Sequence, residues 1–170
     1  LQGVDLSKFH FVPDSKKQMR DRFVVFSGGK LEYRKGQDIV LAAFSNFYRR
    51  HPDSLLVSMW HSPWSRSAET LKLSTHIKNH LNFKEDGCPK IAKWAAENGV
   101  PEPAFIDLGV IPNSYLANVL QNIDISIFPN RCEGGTNLVA MECMAMGVPC
   151  ILSANTGHLD LIAPERCFIL

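Results

Sequence analysis

Long apolar runs are absent from this sequence, and no segment approaches the roughly 18 residues that a membrane-spanning helix needs. An excess of charge is absent too, because the formal net charge is only +1. That balance gives no electrostatic reason to expect a nucleic acid or an anionic membrane as partner. Internal repeats and low-complexity tracts are also missing. Any anion must therefore be bound by local geometry.

Cysteine pairs with the spacing of a metal or redox site are missing as well. None of the five cysteines stands in a CxxC motif. Cys143 and Cys150 are surrounded by apolar residues, so we interpret the cysteines as reduced thiols that fill the core of a cytoplasmic protein. We expect neither a bound metal nor a disulfide. No signal-peptide pattern follows Leu1, which favours a chain that begins inside a longer gene product.

Short apolar segments alternate with helical patterns along the chain. The segment Arg22–Ser27 (RFVVFS) is typical of a buried strand, and the apolar residues of 36–52 recur at helical spacing. This alternation predicts an α/β protein with a Rossmann-like three-layer α/β/α architecture and a mainly parallel sheet of about six strands. Residues 1–21 are interpreted as a connector and 22–170 as the domain. Further strands are predicted at 54–60, 104–108, 123–128, 149–153 and 168–170, and further helices at 67–80, 89–98, 113–121 (capped by Asn113 or Ser114) and 137–146, with a helical turn at 156–162.

A glycine turn with two lysines follows the first predicted strand. In parallel sheets, ligands lie outside the carboxyl ends of the strands, close to the point where the strand order reverses. At such an edge Lys30 and Lys35 can approach one anion from the two ends of the loop 28–36. The loop is neither a Walker A motif nor the dinucleotide motif GxGxxG. A plain glycine turn with solvated lysines is the alternative.

A second glycine-rich turn precedes the helix predicted at 137–146. Thr136 and Asn137 are candidate caps, and the backbone N–H groups of 134–138 can donate to a phosphate or sugar oxygen. Glu133 lies just outside this helix and can accept hydrogen bonds from sugar hydroxyls. Glu142 lies inside it among apolar residues, where a carboxylate is unfavourable unless donors surround it. The hydroxyls of a ribose would serve as such donors.

Other polar and aromatic residues gave weaker signals. His61, His158 and Asp160 occur in predicted carboxyl-end loops, where a general base is conceivable, but we interpret the histidines as ordinary surface residues. The aromatic residues, Trp64 among them, are interpreted as packing in the core and on helix faces rather than as a platform for stacked bases.

Three motifs in order resemble the C-terminal, donor-binding half of a GT-B retaining glycosyltransferase of family 4, also called group 1. Gln2–Asp5, followed by Phe9, is similar to the NGVD…F linker of that family. Residues 29–31 with 35–36 are similar to its GRL…KG phosphate loop. Residues 133–149 are similar to its EGFG…EAMA-G-PV signature. The resemblance covers nearly the whole chain and implies one half of a GT-B fold.

The resemblance implies a role for each matching residue. Lys35 would contact the nucleotide diphosphate, Lys30 would neutralise the same charge, and Glu142 would bind the ribose hydroxyls. Glu133 would hold the transferred sugar, although it is nine positions from Glu142 where the family has eight. Lys35 and Glu133 would be the catalytic pair. The implied donor site comprises Gly29, Lys30, Lys35, Val110, Ile111, Glu133, Gly134, Gly135, Thr136, Asn137, Leu138 and Glu142, with Val110 and Ile111 beside the base.

The resemblance also implies a reaction and its partners. A hexose-type sugar would pass from a UDP- or GDP-linked donor to an acceptor with retention of configuration and without a metal or other cofactor. The acceptor would bind an N-terminal domain that these 170 residues lack, so we expect this fragment alone to be inactive. Peripheral membrane contact would come only through that missing half. A GT-B sugar-nucleotide epimerase, a non-catalytic nucleotide-sugar-binding domain and, more remotely, a flavodoxin-type domain are the alternatives.

Overall fold

The computed structural model describes residues 3–13 and 17–170, and within them strands and helices alternate as the sequence predicts. Most predicted elements are confirmed within one or two residues of their bounds. Gly28 and Gly29 belong to the first strand instead of ending it. The strands are β1 (Phe23–Gly29), β2 (Ser54–Trp60), β3 (Phe105–Asp107), β4 (Ile125–Phe128), β5 (Cys150–Leu152) and β6 (Cys167–Ile169); the helices are α1 (Gln37–Tyr48), α2 (Ser65–Glu69), α3 (Ile91–Glu97), α4 (Asn113–Leu120) and α5 (Leu138–Ala145), and 3-10 turns occupy Tyr33–Lys35, Thr70–Leu73, Glu102–Ala104 and Thr156–Asp160.

The strands form one parallel sheet in the order β3-β2-β1-β4-β5-β6. From β1 the chain adds β2 and β3 on one side, and it adds β4, β5 and β6 on the other. The order therefore reverses between β1 and β4. In sheets of this kind a crevice opens at that point, outside the carboxyl ends of the strands. The loops after β1 and β4 border it.

Apolar side chains pack on both faces of the sheet. Successive residues of a strand point to opposite faces, so Val24 and Phe26 join the core beneath α4 and α5, whereas Val25 joins the core beneath α1 and α3. Both faces are thus covered by helices, as parallel sheets require. The predicted three-layer α/β/α architecture is confirmed.

The helix predicted at 67–80 is wrong in its second half. Helix α2 ends at Glu69, and the 3-10 turn that follows ends at Leu73. Ser74 then takes an extended conformation, and its hydroxyl donates a 2.5 Å hydrogen bond to the buried carboxylate of Asp38. This contact with α1 holds Ser74 outside a helix, which the local apolar pattern does not reveal.

The segment before β1 packs onto the domain. Phe9 is 2% exposed and belongs to the core beneath α4 and α5, and Lys17 forms an ion pair with Asp124. Gln2, the first residue of the linker-like motif, lies outside the described residues. Within the described ranges, no helix has the length and apolar character needed to span a bilayer.

The five cysteines, all within the described ranges, are free thiols. Cys143 and Cys150 are buried in the core beneath α5, as expected. Cys88 and Cys132 are exposed. The interpretation as core-filling residues is therefore wrong for those two.

Candidate functional site

The loops that follow β1 and β4 contact each other through their backbones. The N–H groups of Arg131 and Cys132 both donate to the carbonyl of Arg34, at 2.8 and 3.3 Å. Gly36 has φ 74°, and a Cβ at this position would overlap the carbonyl oxygen of Pro129. Glycine is thus required where the two loops approach.

A buried ion pair links the same two loops. Asp38 is fully buried at the start of α1, and the Arg131 guanidinium donates to its two oxygens at 2.8 and 2.7 Å. Arg131 also lies 3.8 Å from the ring centroid of Tyr33. Burial alone would raise the pKa of Asp38, but hydrogen bonds from Arg131 and Ser74 outweigh it and lower that pKa. We refer to Asp38 and Arg131 as the loop clamp.

The carboxylate of Glu133 lies inside this junction and is only 8% exposed. It forms an ion pair with Lys35 and accepts a 2.7 Å hydrogen bond from Asn130 Nδ2, while Arg34 Nη1 is 3.6 Å away. Burial raises the pKa of Glu133, but the hydrogen bond and charge of Lys35 outweigh that effect and lower it. Two residues predicted from separate motifs are therefore in direct contact.

The 3-10 turn at Thr156–Asp160 supports the backbone of Glu133. The Glu133 N–H donates to Thr156 Oγ1 at 2.7 Å, and Gly157 N–H donates to the Glu133 carbonyl at 3.0 Å. A Cβ on Gly157 would overlap the carbonyl oxygen of Gly135. Thr156 has φ 44°, which is unfavourable for a β-branched residue. This turn holds the glycine-rich loop in place.

Asn137 caps helix α5, as the sequence predicts. Its Oδ1 accepts a hydrogen bond from the Ala140 N–H at 3.3 Å. The loop before the helix is open to solvent. Gly134, Gly135 and Leu138 are exposed and Thr136 is partly buried.

Glu142 is half-buried and faces the first residue of α4. Asn113 Nδ2 donates to its Oε1 at 3.0 Å. Burial raises the pKa of Glu142, and the hydrogen bond from Asn113 only partly offsets this. The predicted capping of α4 by Asn113 or Ser114 is wrong, because Pro112 occupies the cap position and no side chain caps this helix. The amide of Asn113 binds Glu142 instead.

Lys30 and Lys35 contact different partners. The Lys30 ammonium lies 4.4 Å from the ring centroid of Trp64, whereas Lys35 contacts Glu133. Trp64 is 61% exposed, so its assignment to the core is wrong. The other predicted contact residues lie at the same edge: Gly29 at the end of β1, and the exposed Val110 with the partly buried Ile111 after β3.

His158 is fully buried, contrary to its interpretation as a surface residue. Its ring nitrogens contact Ser153, Asn130 and Asn137. His61 and Asp160 are exposed. Within the described ranges, no cluster of three or more His, Cys, Asp or Glu side chains is arranged to hold a metal ion.

Residues 84–170 match the model of a protein family described as glycosyl transferases group 1. The chain belongs to this family. Its α/β/α fold agrees with the resemblance noted from the three motifs.

Curated relatives from three bacteria are similar over nearly the whole chain. A GDP-mannose-dependent alpha-(1-6)-phosphatidylinositol monomannoside mannosyltransferase of Mycolicibacterium smegmatis is 29% identical and aligns with 96% of this chain and 38% of its own length. A GDP-mannose-dependent monoacylated alpha-(1-6)-phosphatidylinositol monomannoside mannosyltransferase of Corynebacterium glutamicum is 22% identical. The alignment covers 99% of this chain and 41% of that protein. Mannosylfructose-phosphate synthase of Agrobacterium fabrum is 27% identical, and the alignment covers 96% of this chain and 34% of that protein. The chain thus spans between 34% and 41% of the length of these three relatives.

Solved structures share the fold. The C-terminal domain of a glycosyl transferase group 1 family protein, LpcC of Francisella tularensis, aligns with a TM-score of 0.68 at 17% identity, over 99% of this chain and 80% of that domain. Sucrose-phosphate synthase of Thermosynechococcus elongatus aligns with a TM-score of 0.69 at 24% identity, and the alignment covers 99% of this chain and 38% of that protein.

Proposed function

We propose that this chain is the nucleotide-sugar-binding domain of a retaining glycosyltransferase that transfers a hexose from a nucleotide-diphosphate sugar to an acceptor. The observation that carries the proposal is the contact between Lys35 and Glu133 at the point where the strand order reverses. A cation for a diphosphate and a carboxylate for sugar hydroxyls thus lie side by side. Membership of the glycosyltransferase family supports it.

Each part of the donor has a matching group in this proposal. Lys35 binds the diphosphate, and Lys30 adds a second positive charge at the mouth of the same loop. Glu142, next to Asn113, accepts from the ribose hydroxyls, and the loop with Val110 and Ile111 lies beside the base. Glu133 orients the sugar, and the backbone N–H groups of 134–138 donate to sugar and phosphate.

Departure of the diphosphate is assisted by fixed positive charge in this proposal. Lysine ammonium groups and a helix N-terminus stabilise negative charge as it develops on a leaving group. We include three further features in the proposal: transfer without a metal, retention of configuration and a cytoplasmic site of action. The acceptor is bound by an N-terminal domain, and the fragment alone is inactive.

GDP-mannose is the donor to test first. Two of the curated relatives are GDP-mannose-dependent enzymes by name. UDP-linked hexoses form the second group, because Anabaena Alr3699/HepE, whose fold aligns with a TM-score of 0.71 at 15% identity, was crystallised with UDP.

Product analysis of the full-length protein tests the reaction class. With GDP-mannose and an acceptor lipid or sugar, we expect release of GDP and formation of an α-linked glycoside. The one-bond coupling between C1 and H1 in its NMR spectrum identifies the anomer. A β-linked product would contradict retention. An epimerised nucleotide-sugar without any glycoside would favour the epimerase, and binding without any product would favour a non-catalytic domain.

A further inference from the structure

We propose that His158 is a positioning residue for Glu133, acting as a neutral hydrogen-bond acceptor between Asn130 and Asn137. This inference rests on the proposed role of Glu133 in binding the donor sugar. His158 is fully buried beneath the glycine-rich loop. It belongs to none of the motifs that carry the family resemblance.

The neighbours of the ring determine which nitrogen carries the proton. Nδ1 lies 3.2 Å from the carbonyl oxygen of Ser153, which can only accept, so Nδ1 must donate. Nε2 lies 3.3 Å from Asn130 Nδ2 and 3.0 Å from Asn137 Nδ2. Both amide nitrogens are donors, so Nε2 must be unprotonated.

The orientation of both amides is fixed by independent contacts. Asn137 Oδ1 accepts from the Ala140 N–H, which leaves Asn137 Nδ2 to face the ring. Asn130 Nδ2 lies 2.7 Å from the Glu133 carboxylate, where an amide oxygen would be repelled. The charges that face this ring are those of Glu133 and Lys35, and burial is the main reason that the pKa of His158 is lowered. The neutral ring is thus favoured on geometric and electrostatic grounds.

His158 connects the carboxylate of Glu133 to the start of α5 through the two asparagines. Asn130 donates to both Glu133 and the ring, while Asn137 donates to the ring and caps the helix. Two glycines follow Glu133 in the chain, and glycine restrains a backbone poorly. The ring and its two amides therefore supply side-chain restraint that the loop sequence lacks.

The tautomer can be observed directly by NMR. In long-range ¹H–¹⁵N spectra at pH 7 we expect a protonated Nδ1 and an unprotonated Nε2 for His158. A protonated Nε2, in either the other tautomer or the imidazolium form, would overturn the inference. The measurement needs no donor, so it stands apart from the proposed function.

Titration of the chain separates positioning from simple loss of structure. Two ligand pairs are used, GDP with GDP-mannose and UDP with UDP-glucose. We expect the wild type to bind one nucleotide-sugar more tightly than its nucleotide. His158→Leu should lower this ratio of affinities about tenfold, which corresponds to the loss of one hydrogen bond between the sugar and the charged carboxylate of Glu133. His158→Gln, whose amide oxygen can accept from the two asparagines, should restore most of it.

The control is His80→Leu, which replaces an exposed histidine in the segment between Leu73 and α3 and should leave the preference unchanged. If His158→Leu fails to fold, Asn130→Ala removes the bridge to Glu133 and should produce the same loss. An equal loss for nucleotide and nucleotide-sugar, or an unchanged preference, would overturn the inference alone. A wild type without any preference would overturn the sugar-binding role of Glu133, and this inference with it.

Discussion

At the scale of single residues, the site depends on a carboxylate and an ammonium that neutralise each other. Glu133 is buried against Lys35, with Arg34 nearby. A diphosphate that binds Lys35 must therefore compete with the Glu133 carboxylate. In the proposed function, Lys35 then pairs with the diphosphate, and we expect Glu133 to accept from sugar hydroxyls.

Glu133→Gln should consequently tighten the binding of a bare nucleotide while weakening recognition of the sugar. We expect GDP or UDP to bind about fivefold more tightly, equivalent to about 1 kcal/mol, because one negative charge beside Lys35 is removed. The preference for the nucleotide-sugar should disappear. Isothermal titration calorimetry measures both. Glu97→Gln, which removes the partner of Lys93 on the surface of α3, is the matched control, and weaker nucleotide binding by Glu133→Gln would contradict the exchange of partners.

The sequence predicted the residues of the motifs but not those that hold them. Glu133 and Lys35 could be named because each stands in a recognisable local pattern. Asn130 stands in no such pattern, and the sequence indicates His158 only as an ordinary surface histidine, since the roles of both depend on partners brought together by the fold, such as their mutual contact across 28 positions. Buried polar residues of this kind give no periodic signal.

At the scale of elements, the loop clamp of Asp38 and Arg131 holds the loop after β1 against the loop after β4. The two residues are 93 positions apart in the sequence, so no local pattern indicates the pair. The same carboxylate accepts a hydrogen bond from the Ser74 hydroxyl, and this contact explains why the helix predicted at 67–80 does not continue beyond Leu73. The buried carboxylate of Asp38 thus accounts for both a missed ion pair and the wrong second half of a predicted helix.

Asp38→Asn should destabilise the fold. Removing one partner of a buried ion pair typically lowers the free energy of unfolding by about 3 kcal/mol, because the other charge remains without compensation. Urea unfolding monitored by circular dichroism measures this change. Asp21→Asn, at an exposed aspartate, is the control and should change the free energy of unfolding by less than about 0.5 kcal/mol.

The same pair predicts a dependence of stability on pH. The pKa of Asp38 is lower in the folded chain than its ordinary value, so its contribution is complete above about pH 4 and is lost as the pH falls through the lower folded-state pKa. Stability of the wild type should therefore decline below about pH 4. The decline should be shallower in Asp38→Asn. An equally steep loss of stability below about pH 4 in the two proteins would contradict this role of Asp38.

At the scale of the whole molecule, the candidate site lies where the strand order reverses between β1 and β4. The alternation of strands and helices predicted the three layers correctly, because burial of a parallel sheet on both faces leaves a clear apolar pattern. The side-chain partners at the crevice followed only from the structure. The Lys30 ammonium over Trp64 is an example, since an exposed tryptophan in a loop looks like a core residue in sequence.

The central claim is that the crevice binds the nucleotide diphosphate through Lys35 and the ribose through Glu142. Calorimetric titration of this chain with GDP and UDP tests it most directly, using the wild type, Lys35→Ala and Glu142→Ala. Lys93→Ala is the control, since Lys93 pairs with Glu97 in an exposed ion pair of α3. We predict that the wild type and the control bind one nucleotide equally well and that both site variants bind it about tenfold more weakly or worse. Unchanged affinity in Lys35→Ala and Glu142→Ala, or no binding of either nucleotide to the wild type, would contradict the claim.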